Sequence, residues 1–356
     1  MLYLDNAASG RITDATIEYY SRLLREDFAN QEALHHEAYR LRKSLQDAGE
    51  KSAEVFDLPG FDTFLFFNSV TEIFHFLGLY FAGESALLNP LEHPAVLENI
   101  SRNCRCRYLR CSKDASVTAV SGDEKLLFIH HVQSELGKIQ DIPGIAEKFP
   151  AATIIVDAAQ SAGKLPLPET AHMIAISGVK MGAPGGAVLL VSNKSDHAEK
   201  ISAFYRKARS EHHLLPRVSV PQILTMFFAA GTLCRNRQQN LDHVTKLNCR
   251  LTSLCADFGV FPTLPAGTET SPYILNLSLP GQQGAVVVRT LAGMDICVAA
   301  GSACAAESGA PSPALQAIGL SKEKAYNALR VSFDPANTME EVDFFASALK
   351  NVLKNY

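Results

Sequence analysis

The chain has 356 residues, 47% of them hydrophobic and 20% charged, with 33 lysines plus arginines against 37 aspartates plus glutamates. That length allows about two domains with substantial cores, and the formal net charge of -4 excludes a general nucleic-acid binder, which carries a basic excess. No apolar run approaches the roughly 18 residues of a membrane span.

The start, Met1-Leu2-Tyr3-Leu4-Asp5-Asn6, lacks the basic residues and apolar stretch of a signal peptide, so a cytoplasmic, reducing compartment is expected. The cysteines (Cys104, Cys106, Cys111, Cys234, Cys249, Cys255, Cys297 and Cys304) form no paired Cys-x-x-Cys knuckles, and no metal site is expected. Cys104 and Cys106 lie in "SRNCRCRYLRC", read as a helix end that leads into an edge strand.

Residues 14 to 56 carry helical periodicity with few breakers. After the Pro59-Gly60 turn, "FDTFLFF" predicts a strand that feeds a helix from Val70 to about Phe81. Strand-like and helical segments then alternate: "SALLNP", a helix after His93, "KLLFIHHV", a helix near 144–149, "ATIIVDAA", "HMIAISG" and "AVLLVS". This pattern predicts an α/β fold with a mostly parallel sheet covered on both faces. Residues 221–256 read as helical, with a polar middle suited to bridging a large domain and a smaller one. Beyond Pro262 come "YILNLSLP", a helix near 284–292, "DICVAAG", a helix near 312–318, "ALRVSF" and a last helix over 338–354. The expected division is a large domain over 13–235 and a smaller α+β domain built from 1–12 and 236–356.

"AISGVKMGAPGG" (175–186) holds a single charged side chain, Lys180, between two apolar runs. A lysine is almost never fully buried unless its charge is compensated. From these residues alone it is either a turn lysine that reaches solvent or an amine put to chemical use. Five stretches fall at junctions between elements, where open α/β sheets bind ligands: "LDNAASG" (4–10), "LEHPAV" (91–96), "VDAAQSAGK" (156–164), "SGVK" (177–180) and "GSACAAESGAPSP" (301–313). Weaker echoes lie between them in "NQEALHHEAYRLRKSL" (30–45), Thr71-Glu72, "SELGKIQ" (134–140) and "LRVSF" (329–333).

In this order and spacing the chain resembles the cysteine desulfurases of the NifS/IscS type, class-V aminotransferase relatives and pyridoxal-phosphate enzymes of fold type I. The resemblance spans nearly the whole chain. It implies a large domain with a mostly parallel seven-stranded sheet, a smaller α+β domain and a homodimer. Lys180 matches the Schiff-base lysine, which becomes a nucleophile when desolvation or neighbouring charge lowers its pKa. Asp157 matches the partner of the protonated pyridine nitrogen, a pairing that keeps the ring an electron sink. Gln160 matches the side chain on the phenolic oxygen, and Ser134 stands near that oxygen where the family has an asparagine. His93 matches the imidazole stacked on the ring, which moves protons near its ordinary pKa.

By the same resemblance, phosphate donors come from the backbone of Val70 and Thr71 and the hydroxyls of Thr71 and Ser177. Arg330 matches the fork that anchors the substrate carboxylate, with Asn6 and Ala7 lining the same pocket. Cys304, on a loop of small residues, matches the nucleophile that takes sulfur from L-cysteine and leaves L-alanine. Pro311, seven residues on, resembles the branch with a long mobile loop, which would hand the persulfide to an acceptor protein such as an iron–sulfur scaffold or a tRNA-thiolation factor. Neither direct nucleic-acid nor membrane binding is expected.

The pattern breaks in several places. Val179 stands where a histidine precedes the lysine, the Gly-Thr of an "RRSGTEN"-like loop is missing, and the glycine-rich stretch after Lys180 is one residue shorter. Arg206, Arg217 or Ser219 are candidates to compensate the lost phosphate contacts, each worth about 1.5–3 kcal/mol. These departures keep open a relative with another substrate (a selenocysteine lyase, an aminotransferase or a β-lyase) and a degenerate, non-catalytic sulfur carrier.

Overall fold

The computed structural model describes residues 1–118, 124–211, 214–301 and 311–355; Cys304 and its loop lie outside them. Strands β2 (Thr63–Phe67), β3 (Ser85–Leu88), β4 (Arg105–Tyr108), β7 (Leu126–His130), β8 (Thr153–Asp157), β9 (Met173–Ser177) and β10 (Ala187–Val191) form a seven-stranded sheet in the order β2-β10-β9-β8-β7-β3-β4. β10 runs antiparallel to both neighbours, and every other pairing is parallel. β2 and β9, each antiparallel to β10, therefore point the same way as the rest.

Successive side chains of a strand point to opposite faces, and both faces of this sheet are covered. Ile154 and Val156 of β8, Ile174 and Ile176 of β9, and Val188 and Leu190 of β10 pack in one core with α2 (His36–Glu50), α6 (Ile142–Lys148) and α8 (Val220–Arg235). Their neighbours Ile155, Met173, Ala175, Ala187, Leu189 and Val191 pack on the other face with α4 (Val70–Tyr80), α5 (Pro94–Ser101) and α7 (Ala198–Ser210). Double coverage is why these strands read as continuous apolar runs rather than alternating ones.

A third core gathers around the antiparallel sheet β11 (Phe261–Pro262), β12 (Ile274–Ser278) and β14 (Ala328–Ser332). It takes side chains from α9 (Arg237–Ala256), α10 (Gly284–Ala292) and the helix Met339–Lys354. The chain start joins it: β1 (Leu2–Tyr3) pairs in parallel with β13 (Ile296–Cys297), and Asp5 bridges to Ser332. A small antiparallel hairpin joins β5 (Arg110–Cys111) and β6 (Val117–Thr118), a feature the sequence pattern does not predict. No helix among the described residues is long and apolar enough to cross a membrane.

Two long helical stretches prove to be broken. Residues 14–56 divide into α1 (Asp14–Glu26), α2 and the short α3 (Ser52–Val55). Arg40 pairs with Asp27 at 2.7 Å, and Arg42 donates to the Gln31 and Ala33 carbonyls, which holds the intervening turn away from a helical path. His35 then caps α2, its Nδ1 accepting from the Ala38 N–H at 3.2 Å. Residues 221–256 break at Asn236, between α8 and α9. The reading of "CRCRYL" as an edge strand agrees with β4 at the end of the sheet.

Candidate active site

The carboxyl ends of five parallel strands meet the third core around a cavity of about 270 Å3. Ser69, Val70 and Thr71 follow β2; Leu91 and His93 follow β3; His130, Val132 and Ser134 close β7; Asp157, Ala159 and Gln160 close β8; Ser177, Val179 and Lys180 close β9. Ala7, Ala8 and Arg330 come from the far side. Of the site residues expected from sequence, Lys180, His93, Asp157, Gln160, Val70, Thr71, Ser177, Ser134, Arg330 and Ala7 thus share one cavity. Asn6 does not: its amide donates to the Ser332 carbonyl, its oxygen accepts from the Arg11 N–H, and it lines a neighbouring cavity.

Lys180 sits on the single turn Val179–Met181 that follows β9. Gly182 ends that turn at φ +76°, a left-handed conformation that disfavours side chains. A Cβ on Gly182 would lie 2.4 Å from the Arg11 carbonyl oxygen, so the position has no space for one. The Lys180 ammonium donates to the Ala8 carbonyl. Val179 occupies the cavity wall as an apolar side chain.

Asp157 ends β8 and accepts the Ala159 N–H at 2.9 Å. Burial, helped by the charge of Glu92, pushes its pKa up to about 6 against the pull of that N–H, His130 and Lys180. Gln160 donates to the Ala7 carbonyl at 2.9 Å, and its own oxygen is buried without a partner.

His93 caps α5 by accepting the Ala95 N–H at 3.1 Å. Its ring opens to the cavity, yet enough protein surrounds it that desolvation, aided by the charge of Lys180, lowers its pKa. Next to it, Glu92 is buried against His130: one carboxylate oxygen lies 2.7 Å from His130 Nδ1 and accepts the His130 backbone N–H at 2.6 Å. This pair ties the His93 loop to the end of β7. Sequence reasoning missed it, although two histidines closing the apolar run "KLLFIHHV" were a signal that the strand end leaves the core.

Ser69 caps α4 by accepting the Glu72 N–H at 3.2 Å, and the first turn of this 11-residue helix faces the cavity. Such a terminus carries partial positive charge and outward N–H groups. Arg206, Arg217 and Ser219, the candidates to replace lost phosphate contacts, do not line the cavity. Ser219 instead donates its N–H to Asn68, whose amide donates to the Arg217 carbonyl.

Arg330 is buried and partly engaged. It donates to Asp5 at 2.7 Å and to the Ser134 carbonyl at 3.0 Å, while its Nε has no partner.

The cavity thus combines an amine, an acid with a displaced pKa, an imidazole, a helix N-terminus and a guanidinium at the strand ends of a doubly covered sheet. The chain matches the class-V aminotransferase family over residues 2–234 and 236–345, and it belongs to that family. Its fold is that of pyridoxal-phosphate enzymes of fold type I, with a mostly parallel central sheet. It is 31% identical over 242 residues to a cysteine desulfurase IscS of Vibrio atlanticus, a match that covers 67% of this chain and 59% of that protein. A putative cysteine desulfurase NifS of Halalkalibacterium halodurans is 25% identical over 99% of this chain and 98% of its own length. The solved NifS-like protein of Rickettsia africae superposes with a TM-score of 0.85 at 19% identity over the full length of both chains.

Proposed function

We propose that this chain is a homodimeric cysteine desulfurase of the cytoplasm that binds pyridoxal 5'-phosphate, converts L-cysteine to L-alanine and passes the sulfur to an acceptor protein. The observation that carries the reading is the convergence of Lys180, Asp157, Gln160 and His93 on one cavity that Arg330 closes from the other side. The names of the curated relatives support the choice of substrate.

The residues fit the cofactor. The Lys180 amine would meet an aldehyde, Asp157 a ring nitrogen, Gln160, whose oxygen is unpartnered, a ring hydroxyl, and the start of α4 a phosphate. Pyridoxal phosphate, when bound, supplies the electron sink for bonds broken at the amino-acid Cα and Cβ.

The chain's own groups supply the rest. Ionised Asp157 would hold a proton at the ring nitrogen. Arg330 offers the substrate carboxylate its unpartnered Nε, and Asp5 keeps the guanidinium in place until then. Burial keeps His93 neutral near pH 7, able to take a proton from the substrate ammonium and return it to carbon. Glu92 and His130 hold the backbone beneath it. Cys304 attacks the substrate sulfur: the sulfur–Cβ bond breaks, a Cys304 persulfide forms, and a proton on carbon completes alanine. One thiol plus one thiol gives one persulfide and one C–H, so no external oxidant is needed.

The test is to incubate the purified protein with L-cysteine and pyridoxal phosphate and to measure alanine and protein persulfide. The wild type is expected to yield both, and Lys180→Ala neither. In Cys304→Ala, alanine formation is expected to fall at least tenfold. Undiminished alanine from Cys304→Ala would remove that thiol from the reaction. Turnover of another amino acid far above cysteine would point to a different substrate.

A further inference from the structure

We propose that Lys164 is a positioning residue for Lys180: its ammonium group, beside a second cavity that both residues line, disfavours a proton on the Lys180 amine and so favours the nucleophilic form. The inference rests on Lys180 being the nucleophile of the proposed reaction.

Lys164 ends the stretch "VDAAQSAGK", whose Asp157 and Gln160 line the first cavity while its lysine does not. The turn that carries it passes through Gly163 at φ +73°, and the Lys164 N–H donates to the Ser161 carbonyl at 2.9 Å. The residue is only 8% exposed. Its ammonium lies 5.6 Å from the centre of the Tyr273 ring, a cation–π contact.

The cavity it faces has about 320 Å3, and Lys180 forms part of its wall as well as of the first cavity's. The other charged or titratable groups on this wall are Arg11 from the segment before α1, Asp334 after β14, and Tyr273 before β12. Burial lowers the pKa of Lys164 to about 8; the charge of Asp334 opposes that shift and the charge of Lys180 adds to it.

Repulsion between two ammonium groups is mutual. Whatever Lys180 does to Lys164, Lys164 does to Lys180, and in a partly desolvated cavity such a pair interacts well beyond its strength in water. A lysine beside a second cation releases its proton to solvent more readily, which is an established route to a reactive amine. Lys164 supplies this charge without touching the substrate cavity. Asp334 and the Tyr273 ring keep it protonated enough to act below about pH 8.

The test reads the amine itself. Full-length protein freed of cofactor is treated with formaldehyde and cyanoborohydride across a range of pH, and methylation of Lys180 is followed by peptide mass spectrometry. Lys164→Met is expected to raise the pH midpoint of Lys180 labelling by about one unit, the usual scale for loss of a nearby charge. Lys164→Gln is expected to do the same, and Lys164→Arg, which keeps the charge, to leave the midpoint where it is. An unmoved or lowered midpoint in both neutral variants overturns the proposal. A parallel arm adds pyridoxal phosphate and borohydride to the wild type and maps the adduct. An adduct on Lys180 with an unmoved midpoint refutes the role of Lys164 alone; no adduct on Lys180 refutes the proposed function, and this inference with it.

Discussion

Two side chains near the site, Asp157 and Lys164, hold charges that the fold makes costly. The folded pKa of Asp157 stands above the ordinary carboxylate value, so the native state binds the extra proton between about pH 4 and 6 and loses stability as pH rises through that window. Asp157→Asn is therefore expected to raise the melting temperature of the cofactor-free protein at pH 7 by roughly 2–4 °C, while weakening retention of pyridoxal phosphate at least tenfold by equilibrium dialysis. In the wild type, retention should fall as pH drops through about 6, because protonated Asp157 no longer balances a protonated ring nitrogen. Lys164 has the opposite sign. Its folded pKa is depressed from 10.5 to about 8, so its penalty is fully present below pH 8 and fades as pH rises towards 10.5. Lys164→Met is expected to melt a few degrees higher than the wild type at pH 7, measured by calorimetry. A residue that costs stability yet shares a cavity wall with the proposed nucleophile is the kind of exchange functional sites make.

At the scale of elements, the turn after β9 decides where the amine goes. Gly182→Ala forces a side chain into a left-handed position with a carbonyl oxygen 2.4 Å from the new Cβ. The expected cost is on the order of 1–3 kcal/mol, together with loss of Lys180 from its place. The check is a urea melt alongside borohydride trapping of the cofactor, which should fall more than stability does. The same scale shows what the residues announced and what they hid. β8, β9 and β10 are legible because each is buried on both faces, and the site is legible because its side chains follow strand ends in short motifs. The break between α1 and α2 is not, since it depends on Arg40 reaching Asp27 and on Arg42 reaching carbonyls outside its own helix. The Glu92–His130 pair joins residues 38 apart in sequence, and the Arg330–Asp5 pair residues 325 apart, and no local pattern encodes either.

Over the whole molecule, several large apolar side chains stay exposed among the described residues, and the densest run of them is Ile17 and Leu24 on α1, Phe28 and Leu34 in the turn, and Tyr39 on α2. Phe28 is 81% exposed and Leu34 fully so. Exposed patches of this kind mark association surfaces, and a second copy of the chain is the occupant that the proposed function calls for. Phe28→Asp combined with Leu34→Glu is expected to turn a dimer into a monomer in analytical ultracentrifugation. An unchanged sedimentation coefficient would place the interface elsewhere.

The pairing of β1 with β13, and of Asp5 with Ser332, has a consequence for biosynthesis. Leu2 and Leu4 leave the ribosome long before Ile296, Leu329 and Val331, residues of the core that shelters them. The nascent chain can therefore finish its seven-stranded sheet while its opening segment, Ala7 and Ala8 included, still hangs loose. The cavity should therefore be complete only after residue 330 has been translated, when its guanidinium comes home to the carboxylate of residue 5.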